Sequence, residues 1–153
     1  MELSPARPAF RLRVSESVKE LRRHTDGARI LVVEDNEDFS SLMELALRDA
    51  GYVVDCATCA EDALRMMDAQ RYQLLLSDYS LPGYSGLWLL RQIVERGLME
   101  PGMTLMITGD PDAPGVREAA HVVPKPVNFD QFIAHLRVVL GGDSQHLAAH
   151  VAA

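Results

Sequence analysis

The chain has 153 residues, 22 acidic against 15 basic side chains, and a formal charge of -7. That length makes one domain able to bury roughly two thirds of the surface its unfolded form exposes, and 48% hydrophobic with 24% charged residues is an ordinary globular balance. The acidity argues against general nucleic-acid binding. No apolar run approaches the ~20 residues that span a bilayer, and the N-terminus lacks a signal peptide's apolar core; a soluble, cytoplasmic protein is expected.

Charge is uneven: the first 27 residues are net basic and the remainder acidic. Residues 1–13, with Pro5, Pro8 and three arginines, read as a flexible arm. A short helix over Ser15–His24 follows, with Val14, Val18 and Leu21 on one side, too short to be stable alone. This extension, residues 1–27, is a candidate for homodimerisation or docking. Its arginines (Arg7, Arg11, Arg13, Arg22, Arg23) are either a solvated face or a site for an acidic partner. Residues 141–153 begin Gly-Gly and read as a frayed tail, with His146 and His150 at i, i+4 but no further metal ligand nearby.

Strand and helix signals alternate over residues 28–140, the predicted domain. Ile30–Val33 is a buried-strand run that meets the acidic cluster Glu34–Asp38. Phe39, Leu42, Leu45, Ala46 and Ala50 then recur at helical spacing, with Gly51 at the C-terminal end. Tyr52–Cys56 is a second strand, and Thr58 with Glu61 forms a capping box for a helix to about Ala69. Cys56 and Cys59 have C-x-x-C spacing but lack the flanking Trp and Pro of a redox pair, so packing at a strand–helix junction is the preferred reading. Gln73–Ser77 is a third strand ending at Asp78. A turn over Leu81–Gly86 leads to a helix carrying Leu87, Leu90, Ile93 and Val94 and closing near Gly97. Tyr84 and Trp88 on that stretch are either recognition surface or half-buried packing. Met103–Ile107 and His121–Val123 are the fourth and fifth strands, and Asn128 and Gln131 open a last helix through Leu140.

Five apolar strands alternating with helices predict a parallel sheet covered on both faces. Ligands of such sheets bind at the carboxyl ends of the strands. Those ends carry Glu34 and Asp35, Asp78, Thr108 and Lys125. Strand-end acids also cap helices, and Asp35, Asn36 and Asp38 are placed to do so. Three carboxylates held together, however, repel unless a proton or cation relieves them. All-oxygen ligation selects a hard ion such as Mg²⁺. A carboxylate can accept a phosphoryl group, whose developing charge an ion, a lysine and a hydroxyl would hold. The pattern predicts a Mg²⁺-dependent phosphoryl acceptor.

Val32-Val33-Glu34-Asp35-Asn36, Leu75-Leu76-Ser77-Asp78-Tyr79-Ser80-Leu81-Pro82-Gly83, Ile107-Thr108-Gly109 and Pro124-Lys125-Pro126 together resemble the signature blocks of response-regulator receiver domains, in order over about residues 28–140. The resemblance implies a flavodoxin-like (CheY-like) α/β fold with strand order 2-1-3-4-5, a known property of that fold. It implies Asp78 as phosphoacceptor, and Glu34, Asp35, Asp78 and the Ser80 backbone carbonyl as Mg²⁺ ligands. It further implies Thr108 and Lys125 as phosphoryl-stabilising and switch residues, a cis Lys125–Pro126 bond, and Ser80 and Asp110 as positions that tune dephosphorylation. The implied partners are a histidine kinase or phosphotransfer protein and a downstream protein, with no nucleic acid. The chain would be no enzyme beyond taking up and losing its own phosphoryl group. With no further domain after residue 140, a stand-alone receiver is expected.

Two departures stand out. Thr108 and Lys125 are only 17 positions apart, shorter than in most receivers, and Gly109–Gly115 holds two prolines and two glycines. The fourth helix should shrink to Val116–Ala120 or vanish. Val122 stands where receivers usually have a switching Tyr or Phe. A phosphorylation-independent pseudo-receiver is therefore the main alternative. A haloacid-dehalogenase-type phosphatase would want Asp-x-Asp where Asp35-Asn36-Glu37 stands, and the acidic first loop would repel a flavin phosphate.

Overall fold

The structure, a computed structural model, describes residues 27–100, 103–119 and 121–141. The expected N-terminal helix, the basic arm, the histidine pair and most of the C-terminal tail lie outside the described residues. Among the described residues no helix is long and apolar enough to cross a membrane.

Five strands, β1 (Arg29–Val33), β2 (Val53–Ala57), β3 (Leu74–Asp78), β4 (Thr104–Thr108) and β5 (His121–Pro124), alternate with α1 (Glu37–Asp49), α2 (Ala60–Ala69), α3 (Gly86–Arg96), α4 (Val116–Ala119) and α5 (Phe129–Gly141). All strand pairs are parallel and the order is β2-β1-β3-β4-β5, as the resemblance implied. Strand side chains alternate between two cores. Ile30, Val32, Leu74, Leu76, Leu105 and Ile107 pack with Met43 and Leu47 of α1 and with Phe132 and Leu136 of α5. Leu31, Val33, Leu75 and Met106 pack with Ala63 and Leu64 of α2, with Leu89 and Ile93 of α3, and with Val116. Burying each Leu or Ile side chain contributes about 1.5–3 kcal/mol. Two-sided burial is why these strands read as unbroken apolar runs rather than alternating ones.

Helix starts are set by caps where the sequence offers them. Asn36 Oδ1 accepts the Phe39 N–H at 2.9 Å, Ser85 Oγ accepts from Trp88 at 3.1 Å, and Asn128 Oδ1 accepts from Gln131 at 3.1 Å. The capping box expected at Thr58 is a correction. Strand β2 runs on to Ala57, which pairs with Val33, and α2 begins at Ala60 after Cys59, whose side chain makes no capping bond. Burial of Ala60 and Ala63 against the sheet fixes that start. Glu61 is left in the first turn, where its charge favours the helix N-terminus. Cys56 and Cys59 are free thiols. Burial pushes both pKa values up, which opposes thiolate reactivity and agrees with the packing reading.

The segment after β4 is shortened as expected. Its helix is one four-residue turn, Val116–Ala119. Buried Ala113 and Val116 pin it to the second core. Val122 is partly buried on the same side, filling with a smaller side chain the place where an aromatic was to be expected.

Candidate functional site

Strand register assembles the site. Val33 lies opposite Ser77, Asp78 opposite Ile107, and Thr108 opposite Pro124. The residues at or just past each carboxyl end therefore fall on one edge: Glu34 and Asp35 after β1, Asp78 ending β3, Thr108 ending β4 and Lys125 after β5. Backbone bonds carry the alignment past the strands, with Glu34 N–H donating to Ala57 O at 3.0 Å, Tyr79 N–H to Ile107 O at 3.2 Å and Lys125 N–H to Thr108 O at 2.8 Å. The Lys125–Pro126 bond is cis.

Carboxylate oxygens of Glu34, Asp35 and Asp78 lie within 4.8 Å of one another. Glu34 is 3% exposed and Asp78 9%, whereas Asp35 is open to solvent. The Lys125 ammonium reaches both buried acids, 3.4 Å from Glu34 Oε2 and 3.6 Å from Asp78 Oδ2. Burial pushes the Glu34 carboxyl above its ordinary pKa and the Asp78 charge adds to this, while the Asn36 N–H and Lys125 pull it back. Burial likewise raises Asp78, opposed by Lys125 and by the N–H groups of Ser80 and Tyr79, with Asp35 adding to the rise. One ammonium against three carboxylates leaves the pocket short of positive charge. The unmet demand, met by hard oxygen donors alone, fits a divalent ion of the Mg²⁺ type.

Thr108 is buried, and its Oγ1 accepts the Asp110 N–H at 3.0 Å. Asp110 itself is exposed, as is Ser80 on the loop after β3. The structure thus brings Glu34, Asp35, Asp78, Thr108 and Lys125 together and puts Ser80 and Asp110 at the rim. Tyr84 and Trp88 stack at 3.9 Å between ring centroids and 15° between planes, Tyr84 half exposed and Trp88 against the second core. They combine the two readings open from sequence.

Three residues escaped the sequence reading. Asn36, seen only as a cap, also donates its N–H to Glu34 Oε1 at 3.2 Å. Phe39, seen only as a core position of a helix, lies under the Lys125 ammonium at 4.4 Å from the ring centroid. Gly86 touches the back of the site, where an added Cβ would lie 2.2 Å from the Asp78 carbonyl oxygen. Its position directly after the Ser85 cap was the available signal.

The family model for the response regulator receiver domain matches residues 30–137. The chain belongs to the response-regulator receiver family. Among curated relatives, this receiver is 34% identical over 113 residues to the transcriptional regulatory protein DltR of Streptococcus agalactiae, covering 72% of this chain and 50% of that protein. It is 32% identical over 115 residues to the two-component response regulator PhoP of Pseudomonas aeruginosa, covering 73% and 51%. The chain therefore spans about half the length of the curated relatives it matches. Among solved structures, the response regulator TrrA of Thermotoga maritima in complex with Mg(2+)-BeF superposes with a TM-score of 0.63 at 28% identity, covering 71% of this chain and 96% of that one.

Proposed function

We propose that this receiver takes a phosphoryl group onto Asp78 from a histidine kinase or phosphotransfer protein in a Mg²⁺-dependent reaction, and passes the signal on through protein–protein contacts. The observation that carries this is the buried Asp78 carboxylate, with the Glu34 and Asp35 oxygens within 4.8 Å and the Lys125 ammonium at 3.6 Å. The likeness to a receiver solved with Mg(2+)-BeF supports it.

In the proposed reaction an Asp78 carboxylate oxygen attacks phosphorus and forms the new P–O bond. The bond from phosphorus to the donor breaks, and its electron pair leaves with the donor, which takes a proton from solvent. Asp78 needs no general base because it reacts as the carboxylate. Lys125 compensates charge on the transferred oxygens, and the Thr108 hydroxyl, oriented by the Asp110 N–H, is placed to donate to one of them. Glu34, Asp35, Asp78 and the Ser80 carbonyl would hold Mg²⁺, which when bound supplies neutralisation of phosphoryl charge. Ser80 and Asp110, exposed at the rim, govern how water reaches the acyl phosphate. The chain is a phosphoryl carrier rather than an enzyme acting on a separate substrate.

A second reading, the phosphorylation-independent interaction module, is favoured by the four-residue α4 and by Val122. Intact mass after incubation with Mg²⁺ and acetyl phosphate separates the two. The carrier predicts one added phosphoryl group on the wild type and none on Asp78→Asn. No addition to the wild type, with Mg²⁺ binding shown separately, favours the module.

A further inference from the structure

The cation of the pocket also meets a residue outside the five site positions. Lys125 Nζ lies 4.4 Å from the centroid of the Phe39 ring, inside the ~6 Å over which a cation is drawn to an aromatic face. Three further contacts complete a closed circuit. Phe39 N–H donates to Asn36 Oδ1 at 2.9 Å, Asn36 N–H donates to Glu34 Oε1 at 3.2 Å, and Lys125 Nζ donates to Glu34 Oε2 at 3.4 Å. Carboxylate, cap, ring and ammonium thus fix one another's spacing.

The ring is itself held. Phe39 packs partly buried against the first core, and Phe129, four residues beyond Lys125, meets it with centroids 6.0 Å apart at 40°. Phe129 opens α5 and Phe39 lies in the first turn of α1. The aromatic pair therefore joins the helix that starts behind the acids to the helix that starts behind the lysine.

A lysine ammonium on its four-carbon stem is mobile and strongly hydrated. Facing carboxylates alone, it would be held only as long as their charge stayed available. Once a divalent cation takes up those oxygens, that attraction weakens. The quadrupole of an aromatic face does not change with the state of the acids.

Resting on the phosphoacceptor reading above, we propose that Phe39 is a positioning residue for Lys125, an aromatic seat that keeps the ammonium beside Asp78 while the carboxylates are otherwise engaged. Phe39 touches neither donor nor phosphoryl group. It acts through the lysine.

The test uses the full chain with Phe39→Leu and Phe39→Met, two apolar replacements without an aromatic face so that one folding defect does not decide the matter, and Phe39→Tyr as the conservative variant. The chain has two lysines, Lys19 and Lys125, so lysine-selective ¹³C labelling gives two ε-methylene signals, assigned with Lys19→Arg. The seat predicts an upfield ring-current shift of the Lys125 ε-protons in wild type and Phe39→Tyr, lost in Phe39→Leu and Phe39→Met. With acetyl phosphate at saturating Mg²⁺, the maximal rate of phosphoryl uptake should fall roughly two- to five-fold in the Leu and Met variants at unchanged apparent KM, and return in Phe39→Tyr. An unshifted Lys125 signal in the wild type overturns the seat. A shifted signal with unaltered rates in both apolar variants overturns the positioning role. A wild type that takes up no phosphoryl group overturns the reading of Asp78 and the positioning role with it, while the ring-current result still decides whether the seat exists.

Discussion

Two strand ends of one sheet behave differently in this receiver. After β1 and β3 the chain enters long helices capped by Asn36 and Ser85, and Glu34 and Asp78 at those ends are buried and tied to Lys125, with backbone bonds crossing to neighbouring strands. After β4 it runs through a turn-rich stretch with two prolines, ending in the single turn Val116–Ala119. That stretch is held to the body by Ala113 and Val116, and its Asp112–Arg117 ion pair is exposed. An exposed pair of this kind contributes only about 0–1 kcal/mol. The pocket follows from strand register, which tolerates no slip because one residue would turn every side chain to the opposite face. The segment follows from side-chain volume against α3, which evolution can trim. The pocket and the segment after β4 are therefore held separately, joined by the Asp110 N–H bond to Thr108 Oγ1.

The strongest way to break that separation is at Gly86. A Cβ there would sit 2.2 Å from the Asp78 carbonyl oxygen and 3.0 Å from Met106 Sδ, and a backbone carbonyl at the end of a central strand has little freedom to yield. Gly86→Ala should cost on the order of 3 kcal/mol in urea unfolding, and phosphoryl uptake by the folded fraction should drop, because Asp78 moves with its own carbonyl. An alanine variant with wild-type stability and uptake would show that the pocket is less rigid than its packing implies.

The matching change on the other side is Gly115→Ala. Gly115 has φ +81, a conformation that disfavours L side chains, and its Cβ would lie 2.9 Å from Leu87 Cδ2, the end of a flexible side chain. A loss of roughly 1–2 kcal/mol is expected, with the extent of phosphorylation by acetyl phosphate retained. Uptake lost as fully as in Gly86→Ala would couple the two regions and refute their separation.

The sequence exposed the first region far better than the second. Apolar runs ending at Glu34, Asp78, Thr108 and Lys125 imply parallel strands whose ends meet, and the sheet has that form. The proline and glycine content of Gly109–Gly115 likewise announced a short α4. What stayed hidden depends on three-dimensional closure. Thr58 and Glu61 have capping-box spacing, yet burial of Ala60 against the sheet starts α2 later. Phe39 has core spacing along α1, and nothing in its neighbours shows that Lys125, distant in the chain, ends over its ring.

A gentler probe of the pocket is pH. Glu34 and Asp78 both have folded pKa values raised, by burial first and by neighbouring acid charge, against opposing contributions from Lys125 and backbone N–H groups. A raised carboxyl binds more protons folded than unfolded, so stability falls as pH rises from the unfolded pKa through the folded one. In Mg²⁺-free buffer the cost is fully present above the raised values and relieved as pH falls towards the ordinary values of 4.5 and 3.8. Thermal unfolding should therefore show Asp78→Asn more stable than wild type at neutral pH, with the gap closing on acidification. Saturating Mg²⁺ should stabilise the wild type and close it from the other side. A gap that is constant in pH and indifferent to Mg²⁺ would mean that the acids do not strain the fold.

The smallest effect expected concerns the link between the two regions. Thr108 Oγ1 accepts the Asp110 N–H at 3.0 Å, and from there Ala113 N–H donates to Asp110 O and Val116 N–H to Ala113 O, each at 3.2 Å. This short chain of bonds runs from the pocket floor to the buried anchor of α4. If the Thr108 hydroxyl turns to a phosphoryl oxygen, Asp110 loses a well-placed acceptor and the turns behind it loosen, so the signal would leave as a change in order rather than as the rotation of a helix. Hydrogen exchange at Asp110, Ala113 and Val116 should then quicken on phosphorylation by up to about tenfold, the loss of roughly one hydrogen bond's net worth, while amides of β1 and β3 stay protected. Exchange across residues 109–119 that is the same with and without the phosphoryl group would sink this route. A four-residue turn pinned at two points has too few bonds to rotate as a unit, and is better suited to opening at one end while Val116 stays in the core.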